Sequence, residues 1–91
     1  MRVVWSPLAI NDLERIADYI QRDNPLAARI VVQTVERECN ALNLFPLRGR
    51  PSRMAGRFDL VFAPLPYLAV YRVKDTQVEI LRIYHTAQNW P

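Results

Sequence analysis

The chain has 91 residues, of which 51% are hydrophobic and 23% charged, with a formal net charge of +3. This composition is typical of one globular domain over residues 1–91, which excludes a disordered chain, and no apolar run approaches the roughly 18 to 20 residues of a membrane span. A single cysteine and the lack of any Cys/His cluster predict no disulfide, no metal and no cofactor, and a start without a secretory h-region predicts a cytoplasmic protein.

The first half of the chain predicts one strand and two helices. Residues 2–5 combine β-branched and aromatic side chains, which favours a short strand. Ser6-Pro7 is typical of a helix start, with serine as the N-cap and proline at the first helical position. Asn24-Pro25 repeats this signal, three residues after the first helix is expected to end near Arg22. So short a turn predicts an antiparallel helical hairpin.

Both predicted helices are amphipathic. Charged residues of the first helix, Asp12 among them, are expected on its solvent side. Cys39 lies on the apolar stripe of the second helix and is interpreted as a small core hydrophobe rather than a nucleophile. The two apolar stripes consist of Ala9, Leu13, Ile16, Ala17 and Ile20, then Ala28, Val31, Val32, Val35, Cys39 and Leu42.

The second half predicts a loop and three strands. Residues 45–51 are rich in turn formers, and strands are expected at residues 57–63, 67–73 and 77–85. Their short connections imply antiparallel neighbours. The whole chain therefore predicts a β-α-α-β-β-β order. This is an α+β fold in which a two-helix antiparallel hairpin packs on one face of a small antiparallel sheet.

The last two predicted strands are almost continuously apolar. Because both helices should cover the same face of the sheet, the other face is expected to expose apolar side chains to a protein partner. The alternative is a central strand that loops or the C-terminal tail cover. Which face of the last strand points inward stays open, since residues 78 and 80 have the opposite parity to residues 81 and 83. The expected partner contacts are Leu68, Val70, Tyr71 and Ile83.

Eleven of the twelve basic residues are arginines, and residues 48–57 hold four of them and no acid. Arginine's planar fork suits bidentate contacts with phosphate or carboxylate groups. The pattern predicts a basic surface for an anionic partner, with a solvated loop as the alternative. The predicted target-binding residues are Arg48, Arg50, Arg53, Arg57 and Arg82.

A second possibility for the polar residues is catalysis. Metal-free RNA cleavage needs a base, an acid and cations beside the reacting phosphate. Four residues of the strand region carry such groups, and a purely structural histidine at the strand end is the alternative. The candidate catalytic residues are Arg57, Arg82, Tyr84 and His85.

Six short segments, in order along the chain, resemble the RelE/ParE family of toxins. They are Trp5-Ser6-Pro7-x-Ala9-x-x-Asp12-Leu13-x-x-Ile16-x-x-Tyr19-Ile20, Asn24-Pro25-x-Ala27-Ala28, Leu44-Phe45-Pro46-x-x-Gly49-Arg50, Pro66-Tyr67, Tyr71-Arg72-Val73, and Ile80-Leu81-Arg82-Ile83-Tyr84-His85-x-x-Gln88-x-Trp90-Pro91. The resemblance implies the two-helix-on-sheet fold and a growth-inhibiting toxin. It also implies a cognate antitoxin, whose disordered C-terminal segment would fold across the apolar sheet face and the grooves of the hairpin.

The family resemblance leaves two targets open. RelE-like members cut mRNA on the ribosome, for which the four candidate catalytic residues would serve, whereas ParE-like members block DNA gyrase and need no catalytic residue. The single lysine and the ending His85-x-x-Gln88-x-Trp90 favour the ParE-like target, with the arginines on an acidic protein surface or a DNA-bound complex. A non-toxic interaction module on the same fold is the third hypothesis.

Overall fold

A computed structural model describes residues 1–88 of the chain. None of the helices in this range is long and apolar enough to cross a membrane. The elements are β1 (Arg2–Trp5), α1 (Pro7–Gln21), α2 (Pro25–Asn40), a 3-10 turn (Ala41–Asn43), β2 (Arg50–Pro51), β3 (Phe58–Val61), β4 (Tyr67–Lys74) and β5 (Gln77–His85).

Both helices begin where the sequence predicts, and for the predicted reason. The Ser6 hydroxyl accepts the Ala9 N–H at 3.0 Å, and the Asn24 side-chain oxygen accepts the Ala27 N–H at the same distance. Each cap is followed by proline at the first helical position, where a missing N–H costs no hydrogen bond. The predicted helical hairpin is confirmed.

The predicted fold class is confirmed, and the sheet differs from the expectation in one respect. Its strand order is β1-β5-β4-β3-β2, and β1 pairs with β5 in parallel, so that the sheet is mixed. The argument from short connections applies only to strands that follow each other in the chain, which β1 and β5 do not. The short edge strand β2 was expected to be loop; it pairs with β3 through Arg50 and Asp59.

A β-bulge in β5 explains the ambiguous parity of that strand. Tyr71 of β4 lies opposite Ile80, but Val70 lies opposite Arg82, so Leu81 is an extra residue in β5. One extra residue reverses the alternation of side chains along a strand. Ile80 and Ile83 consequently both belong to the core under the helices.

The expected exposed apolar sheet face is wrong. Leu68, Val70, Tyr71 and Ile83 are 0%, 4%, 0% and 2% exposed. Tyr71 and Ile83 pack in the core with the helices, and Leu68 and Val70, which alternate with the core residues of β4, are buried as well. The large apolar side chains that do face solvent lie mainly on the helices and the following loop: Leu8, Ile10, Tyr19, Leu26, Ile30, Leu44, Phe45 and Leu47.

The predicted helical stripes form the other side of this core. Ala9, Leu13, Val31 and Val35 are buried, and Cys39 is fully buried, where desolvation raises the pKa of its thiol. A thiol with a raised pKa is a poor nucleophile at neutral pH. The interpretation of Cys39 as a core hydrophobe is confirmed.

Candidate functional site

Within residues 1–88, the second half of β5 has no strand neighbour on the side where β1 ends. Trp5, the last residue of β1, pairs with Ile80. Beyond this point α1 supplies the hydrogen bonds that a neighbouring strand would make. The Ser6 hydroxyl donates to the Leu81 carbonyl at 2.8 Å, and the Asp12 carboxylate accepts the Ile83 N–H at 3.0 Å. The start of α1 is therefore fixed against the end of β5.

Asp12 holds this junction together. Its carboxylate accepts two hydrogen bonds from Arg82, at 2.8 Å from Nε and 3.0 Å from Nη2, and Arg15 lies 3.5 Å away. Helical periodicity predicted Asp12 on the solvent side of α1, but it is only 6% exposed. The expectation is wrong because two cationic groups and a backbone N–H stabilise the carboxylate in a position where an isolated charge would be unfavourable.

The same contact fixes the state of Arg82. Its hydrogen bonds to Asp12 raise the pKa of the guanidinium above its ordinary value, so it stays charged. Bidentate pairing directs Nε and Nη2 toward the carboxylate rather than toward solvent. The charge of Arg82, which was predicted to bind a target or a phosphate, is therefore already paired with Asp12 within the chain.

A cleft of about 470 Å³ lies between α1 and this end of β5. The Arg82 guanidinium lies 5.0 Å from the centre of the Tyr84 ring, and the rings of Tyr67 and His85 meet edge to face at 5.3 Å. Burial raises the pKa of the Tyr67 hydroxyl. The residues that line the cleft are Asp12, Arg15, Ile16, Tyr19, Tyr67, Arg82, Ile83, Tyr84, His85 and Gln88.

His85 is held by the turn that follows it. The His85 N–H donates to Gln88 Oε1 at 2.6 Å, and His85 Nδ1 accepts the Ala87 N–H at 3.0 Å. Because Nδ1 accepts a hydrogen bond, the neutral ring carries its proton on Nε2. In this geometry Nε2 of the neutral ring is a donor and not a base.

Of the four candidate catalytic residues, the structure brings three together. Arg82, Tyr84 and His85 line the cleft, but Arg57 does not. Arg57 precedes Phe58, which pairs with Tyr71, whereas His85 pairs with Tyr67. Tyr67 and Tyr71 are about 13 Å apart along β4, because a strand rises about 3.3 Å per residue. Arg57 is therefore too far along the sheet to share a phosphate with His85.

Only some of the arginines in residues 48–57 form an exposed basic surface. Arg48 pairs with Glu38 through two hydrogen bonds, of 2.8 and 3.3 Å, and this pair lowers the pKa of the Glu38 carboxyl. Arg57 is half-buried, with its Nη1 3.2 Å from the Met54 sulfur. Arg50 and Arg53 are exposed, and neither forms an ion pair within residues 1–88.

Sequence reasoning did not select six residues of the cleft as site residues: Asp12, Arg15, Ile16, Tyr19, Tyr67 and Gln88. Asp12 and Arg82 are 70 residues apart in the chain, so no local pattern links them. The one available signal was Tyr19, an aromatic residue among the charged positions of α1. Within the described part of the chain, no group of three or more His, Cys, Asp or Glu side chains is arranged to hold a metal ion.

Comparison with known proteins decides the family. A family model described as the ParE toxin of the type II toxin-antitoxin system parDE matches residues 3–90, nearly the whole chain. The chain belongs to this ParE toxin family. It is thus a toxin of a type II toxin–antitoxin system, and the family resemblance expected from the six sequence segments is confirmed. Of the last segment, Trp90 and Pro91 lie outside the described residues.

Relatives of this ParE-family toxin include both named branches of the superfamily. Toxin RelE2 of Caulobacter vibrioides is 39% identical over 87 residues, which cover 96% of this chain and 97% of the relative. A structure of the chromosomal ParDE system of P. aeruginosa matches with a TM-score of 0.84 and 31% identity, covering 93% of this chain and 95% of that one. The RelBE2 toxin–antitoxin complex of Mycobacterium tuberculosis matches with a TM-score of 0.65 and 32% identity, over 96% and 92%.

Proposed function

We propose that this toxin arrests growth by inhibiting DNA gyrase and that it has no catalytic residue. The observation that carries the proposal is the state of the candidate catalytic set. Asp12 neutralises Arg82, His85 presents a donor instead of a base, and Arg57 lies elsewhere on the sheet. RNA cleavage would require these groups to be free and close together.

The antitoxin-binding surface lies, in this proposal, on the helical hairpin instead of the buried sheet residues. A groove of about 490 Å³ runs between the helices beside Trp5, with Ile10 and Val32 in its wall and Glu14 and Glu36 at its rim. Such a groove suits the apolar face of a segment that folds on binding, and the two acids suit basic side chains of that segment.

The RelE-like alternative rests on the cleft between α1 and β5. Arg15 is largely exposed there, and a doubly protonated His85 would be the acid that protonates the leaving 5′-oxygen, while the proton of the attacking 2′-hydroxyl passes to water. Protonation of Nδ1 would require the ring to release the hydrogen bond that it accepts from the Ala87 N–H. The relative named Toxin RelE2 favours the same alternative. Tyr84 would then face the RNA beside the Arg82 guanidinium. The RelE-like function requires Arg15 to supply the positive charge beside the phosphate, because the guanidinium of Arg82 is already paired with Asp12.

Two assays with the purified chain separate these targets. We expect inhibition of gyrase supercoiling, with His85→Ala as potent as the unmodified chain because His85 has no chemical role. Primer extension on translated mRNA should show no new cuts. Cuts at fixed codon positions that disappear in His85→Ala would overturn the proposal in favour of the RNase. Normal growth of cells that express the chain without its antitoxin would instead favour the non-toxic module.

The hairpin groove has its own test. Ile10→Glu places a charge in the apolar wall, so we expect loss of co-purification with the antitoxin encoded in the adjacent reading frame. Leu44→Glu is the matched control, since Leu44 is exposed but lies outside this groove. Equal recovery of antitoxin by the two variants would contradict the proposed groove.

A further inference from the structure

The loop that follows the 3-10 turn exposes three large apolar side chains within four residues. Leu44, Phe45 and Leu47 are 73%, 64% and 68% exposed, and with Pro46 they form what we name the apolar turn, residues 44–47. Single exposed apolar residues are common, but a contiguous group of this size on a small protein is typical of a binding surface.

Hydrogen bonds to a buried tyrosine of β4 hold the backbone of the apolar turn in one conformation. Tyr71, fully buried in β4, donates its hydroxyl to the Pro46 carbonyl at 2.8 Å and accepts the Gly49 N–H at 2.8 Å. A Cβ on Gly49 would lie 2.8 Å from the Tyr71 ring, so only glycine allows this approach. The Arg48 N–H also donates to the Phe45 carbonyl at 3.1 Å. The exposed side chains therefore project from a fixed backbone.

A fixed apolar surface binds more favourably than a mobile one, because less conformational entropy is lost on association. The ion pair of Arg48 with Glu38 adds a second tie between this turn and α2. Residues 44–48 together line an open depression of about 550 Å³. The chain thus fixes the backbone of this turn while its apolar side chains face water, where they contribute nothing to the core.

The charges that follow the turn indicate the chemistry of the partner. Arg50 and Arg53 are exposed and form no ion pair within residues 1–88, so their charge is free for a partner. Nucleic acid is bound mainly through its phosphates, to which the aliphatic side chains of Leu44 and Leu47 offer no contact. Apolar anchors beside arginines are typical of protein interfaces.

The hairpin groove has the opposite charge. It is edged by Glu14 and Glu36, whereas the apolar turn is followed by Arg50 and Arg53. Two surfaces of opposite charge suit two different partners. With the antitoxin in the hairpin groove, as proposed above, the apolar turn is left for the target.

We propose that the apolar turn, together with Arg50 and Arg53, is the surface by which this toxin docks on its target protein. The target presents an apolar pocket with carboxylates beside it. The inference rests on the proposed function in so far as that function makes the target a protein rather than an mRNA.

The test compares two pairs of similarly exposed apolar residues. Phe45→Ser/Leu47→Ser removes the apolar turn, and Leu8→Ser/Leu26→Ser is the control on the helices. We expect the first variant to lose growth arrest in cells and to need at least tenfold more protein to inhibit supercoiling, while it still co-purifies with the antitoxin. The control should arrest growth and inhibit supercoiling like the unmodified chain.

A charge variant keeps the inference falsifiable if the serine variant fails to fold. Arg50→Gln/Arg53→Gln removes two exposed charges without placing a new acid opposite Asp59, the strand partner of Arg50. Its thermal unfolding by circular dichroism should therefore match that of the unmodified chain. We expect it to lose growth arrest as well. Growth arrest that persists in both variants overturns the docking surface.

Three further outcomes separate the possible partners. Loss of antitoxin binding with growth arrest intact would assign the surface to the antitoxin and overturn the inference. A serine variant that binds a 30-nucleotide RNA more weakly than the control does would assign it to nucleic acid, with the same consequence. If the unmodified chain leaves gyrase unaffected while the serine variant loses growth arrest, the gyrase proposal fails and the docking surface stands.

Discussion

Replacing Asp12 by alanine would leave two donors of Arg82 and the Ile83 N–H without their acceptor. Arg82 keeps 32% of its side chain exposed and would be partly rehydrated, but the Ile83 N–H is buried at the strand edge. A hydrogen bond to a charged group contributes about 1.5–3 kcal/mol, and an unpaired buried N–H costs about 1–3 kcal/mol. We expect Asp12→Ala to lower the free energy of unfolding by about 3 kcal/mol.

Asparagine at the same position separates charge from hydrogen bonding. Asp12→Asn retains an oxygen for the Ile83 N–H but loses the ion pair, so we expect a loss of about 1.5 kcal/mol. The measurement is urea unfolding followed by circular dichroism, with Asp18→Ala on the exposed side of α1 as the control. The reasoning is refuted if Asp12→Ala stays within about 1 kcal/mol of the unmodified chain, or if asparagine costs as much as alanine.

Three further predictions concern stability. Gly49→Ala should lower the free energy of unfolding by about 2 kcal/mol, because the added methyl overlaps the Tyr71 ring, and an unchanged urea midpoint would contradict the close approach. Asp59→Val should raise the free energy of unfolding by about 1 kcal/mol, since Oδ1 of Asp59 is buried and has no hydrogen-bond partner among residues 1–88, and a lower urea midpoint would count against this. The pKa of Glu38 is lowered by Arg48, so their pair stabilises the fold above pH 4.5 and is lost as the pH falls through the lowered pKa. Glu38→Gln should accordingly be about 0.5 kcal/mol less stable at pH 7, and the difference should shrink as the pH is lowered below 4.5, as measured by unfolding over this pH range.

What the sequence predicted well depends on neighbouring residues. Ser6-Pro7 and Asn24-Pro25 mark the helix starts because an N-cap acts on an N–H only three residues away. The apolar strand segments and the short turns between them are equally local. These signals suffice for the apolar stripes of the two helices and for the order of the helices and of all strands except the two-residue strand β2.

What it predicted poorly depends on contacts that no local pattern records. The pairing of β1 with β5 and the contact of Asp12 with Arg82 join the two ends of the chain. The bulge at Leu81 reversed the parity of β5, which removed Ile83 from the expected partner surface. For the same reason the sequence analysis selected the cleft residues of β5 but not those of α1. It also placed Arg57 in one candidate site with His85, although the two residues lie far apart on the sheet.

The pairing of β1 with β5 also sets a condition on synthesis. A ribosome makes β1 and α1 early, but the partners of Trp5, Ser6 and Asp12 lie between residues 80 and 83. The unfinished chain therefore carries an unpaired first strand and two helices whose apolar stripes have no sheet to cover. Contacts between such distant residues form late and slowly. The growing polypeptide therefore cannot complete its sheet, or fix α1 against β5, until residues 80–83 have been added.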